Sequence, residues 1–144
     1  MNMNAVGIDV SKRKSTVAVL RPGGDVVVKP FDIPHLDDAF QSLINLLHSL
    51  DGETRIVMEC TGHYYEPIAR ALSQAGFFVS AVNPQIICNF QGQDNPLRRV
   101  KTDKADSVKI ARYALDSWAK LKQYSLMDEI RTFVKYCKFI HLAP

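Results

Sequence analysis

Apolar residues along this chain repeat first at the period of a strand and then at that of a helix. Short runs rich in Val and Ile fall at Ala5 to Val10, Ser15 to Leu20 and Asp25 to Lys29, separated by Lys12-Arg13-Lys14 and by Arg21-Pro22-Gly23-Gly24. Breaks this short favour antiparallel neighbours, so the chain is expected to open with a three-stranded meander. From Leu36 to Leu50 the apolar positions Leu36, Ala39, Phe40, Leu43, Leu46, Leu47 and Leu50 recur every three or four residues, with Asp37 and Asp38 at the end where acidic groups suit the helix dipole. That segment predicts an amphipathic helix.

Arg55 to Met58 reads as a fourth strand, a helix follows from near Tyr64 to Ala75 with Gly76 as its stop, and Phe77 to Val82 reads as a fifth strand. Strand, helix, strand is the pattern of a parallel βαβ unit. Asn83-Pro84 interrupts it, and the polar stretch from Gln85 to Val100 predicts a short helix and then a loop. Thr102 is placed to cap a further helix in which Ala105, Val108, Ala111, Leu115 and Trp118 keep a helical period. After a break near Tyr124-Ser125, Leu126 to Leu142 again has helical spacing, with Ile130, Phe133, Val134, Cys137 and Ile140 on one side.

Four carboxylates stand out against this pattern. Asp9 ends the apolar run Val6-Gly7-Ile8, Glu59 follows Ile56-Val57-Met58, and Asp103 and Asp106 share a helix face three residues apart. A carboxylate among apolar strand residues is costly unless something uses its charge. Each residue also has a plain structural explanation: a strand-end aspartate for Asp9, a turn or cap residue for Glu59 beside Thr61 and Gly62, and helix-dipole partners for Asp103 and Asp106. Their joint placement favours one cluster. Oxygen ligands suit hard cations such as Mg²⁺ or Mn²⁺, and two such ions about 3.5 to 4 Å apart steady the attacking and leaving oxygens of a phosphodiester. Arg98, Arg99, Lys101 and Lys104 flank the last pair and are candidates for holding nucleic-acid phosphates.

The order of a three-stranded meander, a helix and then alternating strands and helices is that of the α/β ribonuclease H-like fold. Gly7-Ile8-Asp9-Val10-Ser11-Lys12, Met58-Glu59-Cys60-Thr61-Gly62-His63-Tyr64, Val82-Asn83-Pro84 and Lys101-Thr102-Asp103-Lys104-Ala105-Asp106 together resemble the amino-terminal domain of DEDD-type insertion-sequence transposases, relatives of the Piv invertase. The resemblance spans roughly residues 5 to 118. It implies a RuvC-like domain over residues 1–122, with Asp9, Glu59, Asp103 and Asp106 as catalytic metal ligands for Mg²⁺ or Mn²⁺. It also implies the start of a helical coiled-coil segment over 123–144, DNA as partner, a structured guide RNA and higher-order assembly. Such transposases continue into a second domain carrying a proposed serine nucleophile; neither Ser107 nor Ser125 lies in the matching motif, so the chain is expected to be a fragment, an excised domain or a decayed copy that is inactive alone. Two other readings compete: a non-catalytic nucleic-acid-binding remnant, and an actin-like or sugar-kinase ATPase, which would need a second Asp-x-Gly phosphate loop and a longer chain.

Composition adds bounds. At 144 residues, 47% hydrophobic and 23% charged, the chain has the make-up of one soluble globular domain, and a net charge of +3 identifies no partner by itself. Cys60, Cys88 and Cys137 are too dispersed for a disulfide framework or zinc ribbon, and no apolar run approaches a membrane span, which together predict a cytoplasmic protein. His35, His48, His63 and His141 lack paired metal-ligand spacing. Tyr64, Tyr65 and Phe90 are expected to pack in the core more readily than to stack on bases, and Lys12 to Lys14 to form a solvated turn, with a phosphate contact as the lesser alternative.

Overall fold

The computed structural model describes residues 2–90 and 102–125. Among these residues five strands form one mixed sheet: β1 (Met3–Val10), β2 (Lys14–Arg21), β3 (Asp25–Pro34), β4 (Glu53–Glu59) and β5 (Phe78–Val82), in the spatial order β3-β2-β1-β4-β5. The meander is antiparallel, as the short connections require, whereas β4 lies parallel to β1 and β5 parallel to β4. The helices are α1 (Asp37–His48), α2 (Glu66–Gln74), α3 (Pro84–Asn89) and α4 (Asp103–Asp116), followed by a single 3₁₀ turn over Trp118–Lys120.

Strand alternation divides the interior in two. Val6, Ile8, Val17, Val19, Ile56, Met58 and Val79 face Phe40, Leu43 and Leu47 of α1 and Ile68, Ala69 and Leu72 of α2. On the other face Ala5, Val57 and Val82 pack with Ile87, Ile110 and Ala114 of α3 and α4. The period of two thus sends Gly7 and Asp9 toward α4 while Val6 and Ile8 go to the larger core.

Two expectations change. β3 runs on past Lys29 to Pro34, because Pro30 sits in an edge strand at a register shift between the pairs Val19–Val28 and Val17–Phe31. A bulge at an edge tolerates a residue that has no N–H to donate. The buried side of α4 is made by Ser107, Ile110, Ala111 and Ala114, while Ala105 is exposed. The cause is close approach: a Cβ at Gly7 would stand 2.2 Å from the Ser107 carbonyl oxygen and 2.4 Å from the Ala111 nitrogen. Small residues therefore line the contact, and a search for large apolar residues picks a neighbouring face.

The far end of α4 is held by Arg55 of β4. Its guanidinium lies over the rings of Phe78 and Trp118, pairs with Glu53 at 3.1 Å and donates to the Trp118 carbonyl at 2.6 Å. Beyond Trp118 the chain rounds the open edge of β5, with the Tyr124 amide donating to the Val79 carbonyl and the Tyr124 ring edge-on to Tyr65. Covering an edge strand in this way removes a site for unwanted pairing. The segment predicted to be helical from Leu126 onward lies outside the described residues.

Candidate metal centre

Three separate segments bring the predicted carboxylates to the carboxyl end of the central strands. Asp9 is the next-to-last residue of β1. The parallel register pairs Ile8 with Met58, so one step further sets Asp9 beside Glu59, and both side chains lie on the α4 face by alternation. Asp103 is the first residue of α4, and Asp106 lies three residues on, facing the same way. The start of the helix is fixed by Thr102, whose hydroxyl accepts from the Ala105 amide at 3.1 Å.

One carboxylate oxygen from each of Asp9, Asp103 and Asp106 lies within 4.8 Å of the others. Glu59 falls outside that set, yet its charge still reaches Asp9. Asp9 has its pKa pushed from 3.8 up to about 7, first by burial and then by the charges of Asp106, Asp103 and Glu59, with a hydrogen bond to Asp103 adding to the effect. Burial and crowding both favour the protonated form, which can share its proton with the neighbouring carboxylate.

The donor set fits a hard divalent cation. Ligand oxygens around one octahedral Mg²⁺ are separated by about 3 to 4.2 Å at metal–oxygen distances near 2.1 Å, so the three carboxylates need only a small contraction to bind one ion. A cation would also offset the repulsion that raises Asp9.

A second layer, not foreseen in the sequence, surrounds the cluster. Thr16 pairs with Asp9 across the β1–β2 ladder, and its hydroxyl donates to Asp32 of β3 at 2.7 Å. Lys14 Nζ lies 3.2 Å from Asp32 and 3.8 Å from Asp103. Hydrogen bonds from Thr16 and Lys14 hold the Asp32 carboxyl below its ordinary pKa, and the charges of Lys14 and Lys104 add to this. On the opposite side a cleft of about 360 Å³ is lined by Glu59, Pro84, Gln85, Ile87, Cys88, Asp106 and Lys109. Lys109 follows Asp106 by three residues, a spacing that could have flagged it in the sequence.

Of the four basic candidates, Lys104 is exposed on the first turn of α4, while Arg98, Arg99 and Lys101 lie outside the described residues. His63 is exposed and pairs with Glu66 at 3.3 Å. Tyr65 packs against the larger core, as expected. Phe90 is half-buried at the end of α3 with its ring edge-on to Tyr113 and joins neither core cluster, and Tyr64 is exposed, because the turn before α2 leaves it outside the core. Ser107 is buried and donates to the Lys104 carbonyl at 2.7 Å. Cys60 and Cys88 are free thiols.

A family model described as a DEDD transposase of the IS110 type matches residues 6–136. The chain belongs to this transposase family. The fold is similar to that of Thermus thermophilus RuvC, with a TM-score of 0.55 at 14% identity over 86% of this chain and 100% of that one. It is likewise similar to T. thermophilus RuvC in complex with a Holliday junction substrate, with a TM-score of 0.53 at 12% identity over 86% of this chain and 99% of that one. No match to a curated protein sequence was found. The ribonuclease H-like fold expected from the order of elements, in the RuvC-like form that the family resemblance implied, is thus the fold observed, and family membership sets the ATPase reading aside. No helix among the described residues is long and apolar enough to cross a membrane.

Proposed function

We propose that this transposase-family chain carries the metal-dependent strand-cleavage site of a DNA transposase or recombinase. The observation that carries the reading is the meeting of Asp9, Asp103 and Asp106 within 4.8 Å at the carboxyl end of the central strands. Asp9, Asp103 and Asp106 would hold Mg²⁺ or Mn²⁺, with Glu59 completing the set from the neighbouring strand. An ion held there would supply Lewis acidity to a phosphodiester and would favour the deprotonated form of a water or hydroxyl nucleophile.

The chain's own groups divide the remaining work. Asp9 is half-buried, and the proton that burial and its neighbours favour on it would leave when the ion binds. Lys104 at the helix start and Lys109 in the cleft flank the carboxylates on the α4 side, where they would hold phosphates without reading bases. Arg98, Arg99 and Lys101 precede that helix in sequence and belong to the same proposed backbone interface. A structured guide RNA, higher-order assembly and a second, serine-bearing domain rest on the family resemblance alone, as does a division of the chain into residues 1–122 and 123–144.

The test is calorimetric titration of the purified chain with Mn²⁺, paired with Mn²⁺-dependent nicking of branched and duplex DNA. Binding and nicking that are both lost in Asp9→Asn support the reading. Absence of Mn²⁺ binding defeats it, and binding of DNA without cleavage favours the non-catalytic remnant.

A further inference from the structure

The cluster has a cation of its own. Lys14 stands in the turn end of β2, its ammonium between the carboxylates of Asp32 and Asp103. Asp32 is fixed from behind by the Thr16 hydroxyl, so it anchors Lys14 at a set place beside the metal ligands. Asp103 is the most exposed of the three clustered aspartates, and it opens the helix. Side chains of Lys14 and Asp103 are 49% and 54% exposed, which makes their pairing weak enough to exchange for another partner.

The geometry points to Lys14 as a tethered counter-ion, a positioning residue that neutralises Asp103 while the site lacks metal and transfers to a nucleic-acid phosphate once the site is charged. The inference rests on the proposed metal site. An ammonium 3.8 Å from a ligand carboxylate competes with a divalent cation for it. Once Asp103 is engaged elsewhere, Lys14 remains tied to Asp32 at the rim, where a half-exposed point charge suits a phosphate oxygen. Lys14 thus opposes metal binding in the free protein and favours it when DNA is present. Lys12, in the same turn, provides a control because its removal changes the net charge equally.

The experiment measures Mn²⁺ affinity by calorimetry for the wild type, Lys14→Met, Lys14→Arg and Lys12→Met, at low salt and about pH 8, above the range in which Asp9 keeps its proton. Lys14→Met is expected to bind Mn²⁺ about two- to fivefold more tightly, Lys14→Arg to remain near the wild type, and Lys12→Met to change it less. Duplex DNA affinity in the presence of Mn²⁺ should fall in Lys14→Met, with the salt slope reduced by about one. Unchanged or weaker Mn²⁺ binding in Lys14→Met, with normal binding by the wild type, overturns the counter-ion role alone. An equal rise in Lys12→Met reduces it to the general field of the surface and overturns it as well. Undiminished DNA affinity overturns the transfer to phosphate, and a wild type that binds no Mn²⁺ overturns this inference together with the metal site.

Discussion

Gly7 of β1 lies directly beneath Ser107 of α4, so close that a Cβ on Gly7 would stand 2.2 Å from the Ser107 carbonyl oxygen. Both sides of this contact are backbone, so neither can yield by changing a rotamer. Gly7→Ala is therefore expected to cost at least about 3 kcal/mol in urea denaturation. Where folding persists, the lifted helix should carry Asp103 and Asp106 away from Asp9, and Mn²⁺ affinity should fall with stability. Wild-type stability in the variant would show that α4 does not depend on this close approach.

The crowding around Asp9 makes a different substitution stabilising. Asp9→Asn removes a carboxylate that burial and three neighbouring charges disfavour. Without metal the variant should be more stable at neutral pH by about 1 kcal/mol, allowing for solvent screening at a half-buried site. The rise in melting temperature expected of the wild type with Mn²⁺ should be absent from the variant. A less stable metal-free variant would mean that Asp9 serves the fold and not the site.

The same residue fixes a pH dependence. The folded-state pKa of Asp9 is about 7, against 3.8 ordinarily, so between these values the native state holds a proton that the unfolded chain has lost. Stability of the metal-free protein should accordingly decline as pH rises from about 4 to 7 and level off above that, as far as Asp9 governs it. Metal binding must displace that proton, so Mn²⁺ affinity should rise by up to about tenfold per pH unit below 7 and flatten beyond. Calorimetry in buffers of different ionisation enthalpy would count the released proton, and a flat affinity between about pH 5.5 and 7 would contradict the assignment.

Thr102 links sequence to site more directly than any other cap. Its hydroxyl accepts from the Ala105 amide in the turn that carries Asp103 and Asp106. Thr102→Ala should cost about 1 kcal/mol and fray that turn, weakening Mn²⁺ binding, whereas Thr102→Ser should retain both. Equal metal affinity in all three proteins would separate the cap from the carboxylate geometry.

What the sequence made legible follows from which features are local. The strands, the helices and the Thr102 cap depend on periodicity and on short-range hydrogen bonds, and the carboxylates at the ends of β1 and β4 could be found by reading along each strand. The buried face of α4 could not, because the contact depends on the absence of a side chain at Gly7 and on small residues at Ser107 and Ala111. Asp32 was hidden for another reason. Its position opposite Thr16 requires a β2–β3 register with two shifts, and Pro30 suggests that the strand has already ended. Lys14 reads as a turn lysine until that register places Asp32 beside it.

The cleft beside Glu59 and Asp106 yields the last prediction. Gln85 and Lys109 line it from α3 and α4, and it opens onto the carboxylates with an amide and an ammonium suited to phosphate oxygens. A strand held there would present its phosphodiester to Asp9, Asp103 and Asp106, with Lys104 following on the exposed helix start. Lys109→Ala should weaken duplex DNA binding about equally for unrelated sequences and reduce the salt slope by about one, since a phosphate contact carries no base information. Mn²⁺ affinity in the absence of DNA should not fall, because removing a nearby positive charge does not disfavour a cation. An unchanged slope in Lys109→Ala, alongside a reduced slope in the combined variant Arg98→Ala, Arg99→Ala, would place the nucleic-acid backbone on the segment before α4 and not in the cleft.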